Sequence, residues 1–241
     1  MHISFFPEKL AEIFGVPISN ALLMSWLAIL VLAAFSYFAS KKLKVVPGRL
    51  QSIAELTVEL MMNFMTTVTG DKERTRRFFP LTATLFLFIL VSNWMGILPG
   101  VGSMGILEHE EFIPFFRSTN SDINMTLALA VISVFATQMF GIAGVGFLNH
   151  LSRYLSLKSP ISFFIGILES IAEIAKILSF SFRLFGNIFA GEVLLMVIFF
   201  LVPLIIPLPF MFLEIFVGFV QALVFSMLTL VFLTIATAKE H

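Results

Sequence analysis

Six polar residues in the last third of this chain are spaced so that a single helix would carry them on one face. Glu169, Glu173, Lys176, Ser179, Arg183 and Asn187 stand at offsets 0, 4, 7, 10, 14 and 18, close to whole turns of an α-helix at ~3.6 residues each. Their surroundings are apolar enough for a bilayer. An arginine in hydrocarbon costs about 2.5–3.5 kcal/mol on insertion scales, and it cannot escape that cost by neutralising. Arg183 therefore needs an anionic or carbonyl partner. Glu169 and Glu173 precede Lys176 by seven and three residues, so these three can form a self-contained ion cluster on one helix. Arg183 has no carboxylate three or four residues away, which places its partner on another helix or another chain. A structural ion pair inside the bundle is the plainer alternative.

Glu192 lies nine residues beyond Arg183, about 180° around an ideal helix, and so faces away from it. It points instead toward a returning helix on which Glu214 and Gln221, seven residues apart, share a face. Two carboxylates and the carboxamides of Asn187 and Gln221 in one membrane cavity could relay protons or ligate a small cation. The plainer alternative is that Glu192 and Glu214 sit in interfacial water near the hairpin turn. His109, among Glu108, Glu110 and Glu111, has no second histidine at metal-ligand spacing and reads as part of a solvated acidic loop. Gly141, Gly144 and Gly146 read as close packing or a helix end. No phosphate-loop motif occurs, so no nucleotide site is expected, and no other motif calls for a cofactor or a resident metal.

The elements that must position these residues follow from composition. Of 241 residues, 59% are hydrophobic and 12% charged, with a mean hydropathy of +1.01, against ~45–50% and ~25% in soluble domains. An all-α integral membrane protein results, read as a single membrane domain over 1–241. Absence of Cys excludes disulfides and thiolate metal sites. The N-terminus lacks a signal-peptide pattern and reads as mature sequence. Spans of about 20 apolar residues are predicted at 19–39, 79–98 and 122–147. Residues 50–68 differ. Apolar positions recur every turn, Glu55 and Glu59 lie opposite, and basic residues bracket both ends, so this helix is expected to lie in the interface. From 160 to 200 no proline interrupts 41 residues. At ~1.5 Å each this is about twice the ~30 Å hydrocarbon core, so the helix must lean steeply. Pro203, Pro207 and Pro209 then turn the chain, and 210–237 completes a long tilted hairpin. Five membrane-embedded helices and one interfacial helix are expected.

If the first span runs from outside to inside, eleven of the fifteen Lys and Arg fall on the inner side, leaving Lys9 and Arg117 outside and Lys176 and Arg183 within the hairpin. The positive-inside rule favours that orientation, with the C-terminus cytoplasmic. The zero net charge offers no sign of a nucleic-acid partner.

The string Arg183-Leu184-Phe185-Gly186-Asn187-Ile188-Phe189-Ala190-Gly191-Glu192 resembles the signature of the a subunit of F-type ATP synthases. Asn93-Trp94-Met95-Gly96-Ile97-Leu98-Pro99-Gly100, Asp122-Ile123-Asn124-Met125-Thr126, Glu169 fourteen residues before the arginine, and Gln221-Ala222 extend the resemblance over nearly the whole chain. Two departures stand out. Thr119-Asn120-Ser121 precedes Asp122 where the family often has Pro-Thr, and Glu214 occupies a position that is often histidine.

The resemblance implies an ion-translocating stator subunit with no catalytic site of its own, in a bacterial inner membrane. Its partners would be the c ring, whose carboxylates meet Arg183, the b subunits of the peripheral stalk, and through these the rest of the synthase. Protons would arrive from outside near Glu192, Asn187, Glu214 and Gln221, and leave inward near Glu169, Glu173, Lys176 and Ser179. Arg183 would block a direct leak between the two half-channels. The alternative is a free-standing ion or anion transporter, although such carriers usually show internal repeats and none is visible. A purely structural anchor would not need Arg183.

Overall fold

The computed structural model describes residues 9–13, 16–41, 43–98, 101, 105–108, 111–154, 159–202 and 205–238. His109, Glu110, Pro99, Gly100, Pro203 and several basic residues counted above lie outside them. Five helices are long and apolar enough to cross a membrane: α1 (Asn20–Ser40), α3 (Lys72–Ile97), α4 (Ile123–Val145), α6 (Pro160–Leu201) and α7 (Pro207–Ala236). Between them lie α2 (Arg49–Thr69) and the short α5 (Phe147–Tyr154).

Helix boundaries follow local chemistry. Ser19 caps α1 by accepting the Leu22 N–H at 3.2 Å, and Asp71 caps α3 through the Glu73 N–H at 2.8 Å, each satisfying a donor the helix leaves free. The Asp71 cap starts α3 well before residue 79. Its charged first turns are poor hydrocarbon formers but good helix formers, so the helix extends beyond its apolar stretch and Pro80 falls inside it. Gly146, at φ 92°, adopts a backbone that side chains disfavour and turns the chain from α4 into α5 rather than prolonging α4. Pro207 opens α7 earlier than residue 210, because a proline in the first turn lacks only an N–H that would have no partner there.

Two antiparallel hairpins add to the helical plan. β1 (Lys9–Ile13) pairs with β2 (Val16–Ser19), and β3 (Gly105–Glu108) with β4 (Glu111–Pro114). The second occupies the segment expected to be an acidic loop. Strands of four or five residues are too short to leave an alternating pattern.

Helix α2 is not one of the five candidate spans. It packs through Gln51, Met61 and Met65, exposes Leu50, Ile53, Leu60 and Phe64, and keeps Glu55 within reach of Gln51 Nε2 at 2.7 Å. The core lies between α3, α4, α6 and α7, where Leu85, Phe86 and Ile89 meet Leu129, Phe180, Leu184, Ile188 and Phe225. Helix α6, 42 residues long, reaches about 63 Å at ~1.5 Å per residue. It buries only Gly166, Phe180, Ser181, Leu184, Ile188 and Gly191, so the other helices support it from one side.

Polar side chains tie the bundle at the end that carries the β-hairpins. Asn93 Nδ2 donates to the Gly218 carbonyl at 2.9 Å, Asn120 Nδ2 donates to Asn93 Oδ1 at 2.7 Å, and Trp94 Nε1 donates to the Ile215 carbonyl at 3.1 Å. Deeper in, Thr126 and Ser181 hydroxyls meet at 3.1 Å, and those of Ser133 and Thr229 at 2.8 Å. Asn93→Ala should strand the buried Asn120 amide and lower stability by about 1–3 kcal/mol. Thermal unfolding in detergent reads this as a melting temperature reduced by several degrees; an unchanged melting temperature would remove this clasp from the supports of the fold.

Candidate functional site

The polar face expected on one helix is present on α6. Arg183 is exposed, and its Nη2 donates to Ser179 Oγ at 3.2 Å. No acidic side chain among the described residues lies within ion-pair reach of it. Small residues surround it on the open side of the helix, with Ala175, Ser179 and Ala190 exposed and Gly186 half-buried. The guanidinium thus stands on a face that none of the described helices covers.

Lys176 has its counter-charge on the same helix. Its Nζ lies 2.6 Å from Glu173 Oε1 and 4.5 Å from the centre of the Phe232 ring on α7, one ion-pair and one cation–π contact. Glu169, half-buried, precedes Glu173 by one turn. Oε2 of Glu173 is buried with no hydrogen-bond partner among the described residues.

At the hairpin end the structure brings four predicted residues together across α6 and α7. Asn187 Nδ2 donates to Gln221 Oε1 at 2.8 Å. Glu214 is buried at 8% exposure, and its carboxylate rests against the α-carbon of Gly191, where a β-carbon would occupy the same space. Glycine at 191 lets α6 and α7 close over a carboxylate. Next to it, Glu192 turns Oε1 toward Arg117, whose Nε is 3.5 Å away. Arg117 had been counted only as an outer-loop cation. The signal available in the sequence was its position five residues before the Asp122 helix cap, behind two phenylalanines, which puts a cation at the mouth of a span. Buried polar atoms without partners among the described residues crowd this end: Ser92 Oγ, Ser118 Oγ, Thr119 Oγ1, Gln221 Nε2 and Glu192 Oε2. Such atoms are costly unless hydrated.

Chemically, the arrangement is a cation without a carboxylate partner among the described residues, near the middle of a long helix, with carboxylates on either side of it along the axis, one set near Glu173 and the other around Glu192 and Glu214. The chain matches the family model described as ATP synthase A chain over residues 22–234. This chain belongs to the ATP synthase A chain family. It is 35% identical to ATP synthase subunit a 1 of Pelobacter propionicus over 225 residues, which cover 92% of this chain and 90% of the relative. It is also 35% identical to ATP synthase subunit a of Citrifermentans bemidjiense over 244 residues, covering 100% and 98%. With ATP synthase subunit a of Syntrophobacter fumaroxidans the figure is 37% over 220 residues, covering 90% and 83%. The chain is accordingly a multi-pass membrane subunit of the Fo sector of ATP synthase.

Gly191→Ala should drive a β-carbon into the Glu214 carboxylate and cost about 1–3 kcal/mol of stability. Shortening Glu214 to Ala in the same chain should recover at least about half of that loss, because contacting residues couple. Melting curves of the two single variants and the double variant test this; strictly additive losses would show that Gly191 is not packed on Glu214 in solution.

Proposed function

We propose that this a-subunit family member supplies two offset proton half-channels to a rotating c ring, with Arg183 separating them. The observation that carries the reading is the exposed Arg183 on an uncovered face of α6, with Ser179 as its hydrogen-bond partner and no carboxylate within reach among the described residues. A membrane-embedded cation in that position needs an anion from outside the chain, and a carboxylate on each ring subunit meets the need. The small residues beside Arg183 let a ring helix approach closely.

In this reading protons arrive at Glu192 and Glu214 through the polar end where Asn187 and Gln221 are bonded, and pass to a ring carboxylate. After the ring turns they leave past Ser179 and the cluster of Glu169, Glu173 and Lys176. Arg183 draws each arriving carboxylate into its ionised form and repels protons moving straight between the two paths. The steep lean of α6 lays this face along the ring, while α2 lies in the inner interface. The N-terminus is outside and the C-terminus cytoplasmic, in agreement with the basic residues bracketing α2. The b subunits of a peripheral stalk hold the subunit against rotation and link it to the remaining synthase subunits. A free-standing ion or anion transporter has no particular observation in its favour once family membership is established.

Arg183→Ala should abolish ATP synthesis driven by a proton gradient in membranes that contain the complete complex. Synthesis near the parental rate would sink the proposed role. Glu192→Gln should slow ATP-driven proton uptake while the amount of assembled complex stays near normal; a parallel loss of assembly would make Glu192 a structural residue instead.

A further inference from the structure

The loop before α4 delivers Arg117 to Glu192 from outside the hairpin, a contact that none of the roles above uses. Its Nε lies 3.5 Å from Glu192 Oε1, with the two side chains 11% and 29% exposed. The same Nε donates to Ser121 Oγ at 3.2 Å. The Ser121 hydroxyl is itself committed, donating to the Ser118 carbonyl at 2.9 Å, so its lone pairs are left to accept from Arg117. Further out, the Arg117 Cζ sits 6.0 Å from the centre of the Phe189 ring, one turn before Glu192 on α6. The guanidinium is therefore held between the start of α4 and two successive turns of α6. The loop that carries it is anchored in turn, by Asp122 capping α4 and by Asn120 bonded to Asn93.

Glu192 uses its two oxygens differently. Oε1 faces Arg117, whereas Oε2 is buried with no hydrogen-bond partner among the described residues. On the other side, the Glu214 carboxylate packs on Gly191, so a second acid borders the same pocket from α7. Without a cation, two like charges would share a low-dielectric space and repel each other.

We infer that Arg117 is the positioning residue of the outer carboxylate: it fixes Oε1 of Glu192 and leaves Oε2 as the oxygen that accepts and passes on each proton. The inference rests on the proton-path reading above. In each transit a proton forms an O–H bond at Oε2, and that bond breaks as the proton moves to the next acceptor. Glu192 returns to its starting state, one proton is transferred, and the guanidinium keeps its charge throughout. The one Nε–H is donated to Ser121, so Oε1 is held by the charge of the guanidinium at 3.5 Å, and a shorter-reaching ammonium group without the Nε donor reproduces that hold only in part.

The test uses the complete complex in inverted membrane vesicles, measuring ATP-driven acidification per assembled complex. Arg117→Gln should reduce acidification by about tenfold at normal assembly, and Arg117→Lys should recover at least about threefold over Gln, as loss and partial return of positioning require. Combining Arg117→Gln with Glu192→Gln should be no slower than Glu192→Gln alone, since the two act as a unit. Arg117→Gln within about twofold of the parent would overturn the inference, as would equal slowing by Lys and Gln, or multiplying effects in the double variant. If Arg117→Gln fails to assemble, the double variant decides. Restored assembly shows that the uncompensated Glu192 charge was the fault and supports the pairing, while continued failure makes Arg117 a strut and overturns it. Arg183→Ala measured in parallel separates the two levels. Continued pumping there removes the proton-path reading itself, whereas a silent Arg183→Ala beside a normal Arg117→Gln removes only the role of Arg117.

Discussion

A positive charge on a helix apolar enough to cross a membrane, with no counter-charge among the described residues, is the constraint from which the rest of this structure follows. Among the described residues Arg183 has only the Ser179 hydroxyl as a bonded neighbour, and a hydroxyl dipole offsets little of the cost of such a charge. On the proposed function the helix that carries it cannot be buried, because a ring carboxylate has to reach the guanidinium from outside. It cannot be loosely held either, because the meeting geometry would then drift. The bundle meets both demands by supporting α6 from one side. Phe180, Ser181, Leu184 and Ile188 are buried toward α4 and α7, while Arg183 and its small neighbours stay open on the other face.

The three cations in or beside the hairpin show how differently a membrane protein can compensate charge. Lys176 is satisfied locally, by Glu173 at 2.6 Å and the Phe232 ring. Arg117 reaches from a loop to Glu192 and is held at 11% exposure, a place where removing one partner costs far more than the pair contributes. Among the described residues Arg183 has neither arrangement. Since the chain shows that it can pair cations both within a helix and between elements, the isolation of Arg183 is a property of this position and not of the membrane setting in general.

Legibility in the sequence was governed by how local each feature is. The polar face of α6 was visible because helical periodicity places Ser179 under Arg183 and Glu173 beside Lys176 without any tertiary information. The Asn187 to Gln221 bond was readable only as a shared cavity, since the register between two helices depends on packing. Gly191 had no signal as a seat for Glu214, because the requirement comes from a side chain 23 residues away. Arg117 was assigned to an outer loop by charge counting, which records the side of the membrane but not the direction of a side chain. The first turns of α3 and the β3–β4 hairpin were missed for a related reason: apolar windows find where hydrocarbon begins, not where backbone hydrogen bonding does.

One continuous helix does what two shorter ones could not. Glu173, Arg183 and Glu192 follow at intervals of ten and nine residues, which at ~1.5 Å per residue puts Arg183 about 14–15 Å from either carboxylate along the axis. A proton hop needs donor and acceptor within ~3 Å, so neither gap can be crossed on α6 itself. In the proposed path the ring carboxylate carries protons between the two sites. Because all three residues share one rigid rod, the spacing between the two carboxylate sites cannot shorten when neighbouring helices shift. A break in α6 near Arg183 would let the two ends move independently and could bring the polar paths together. On the proposed path the unbroken run from Pro160 to Leu201 serves insulation as much as support, because it holds the two carboxylate sites too far apart for a direct proton hop along α6.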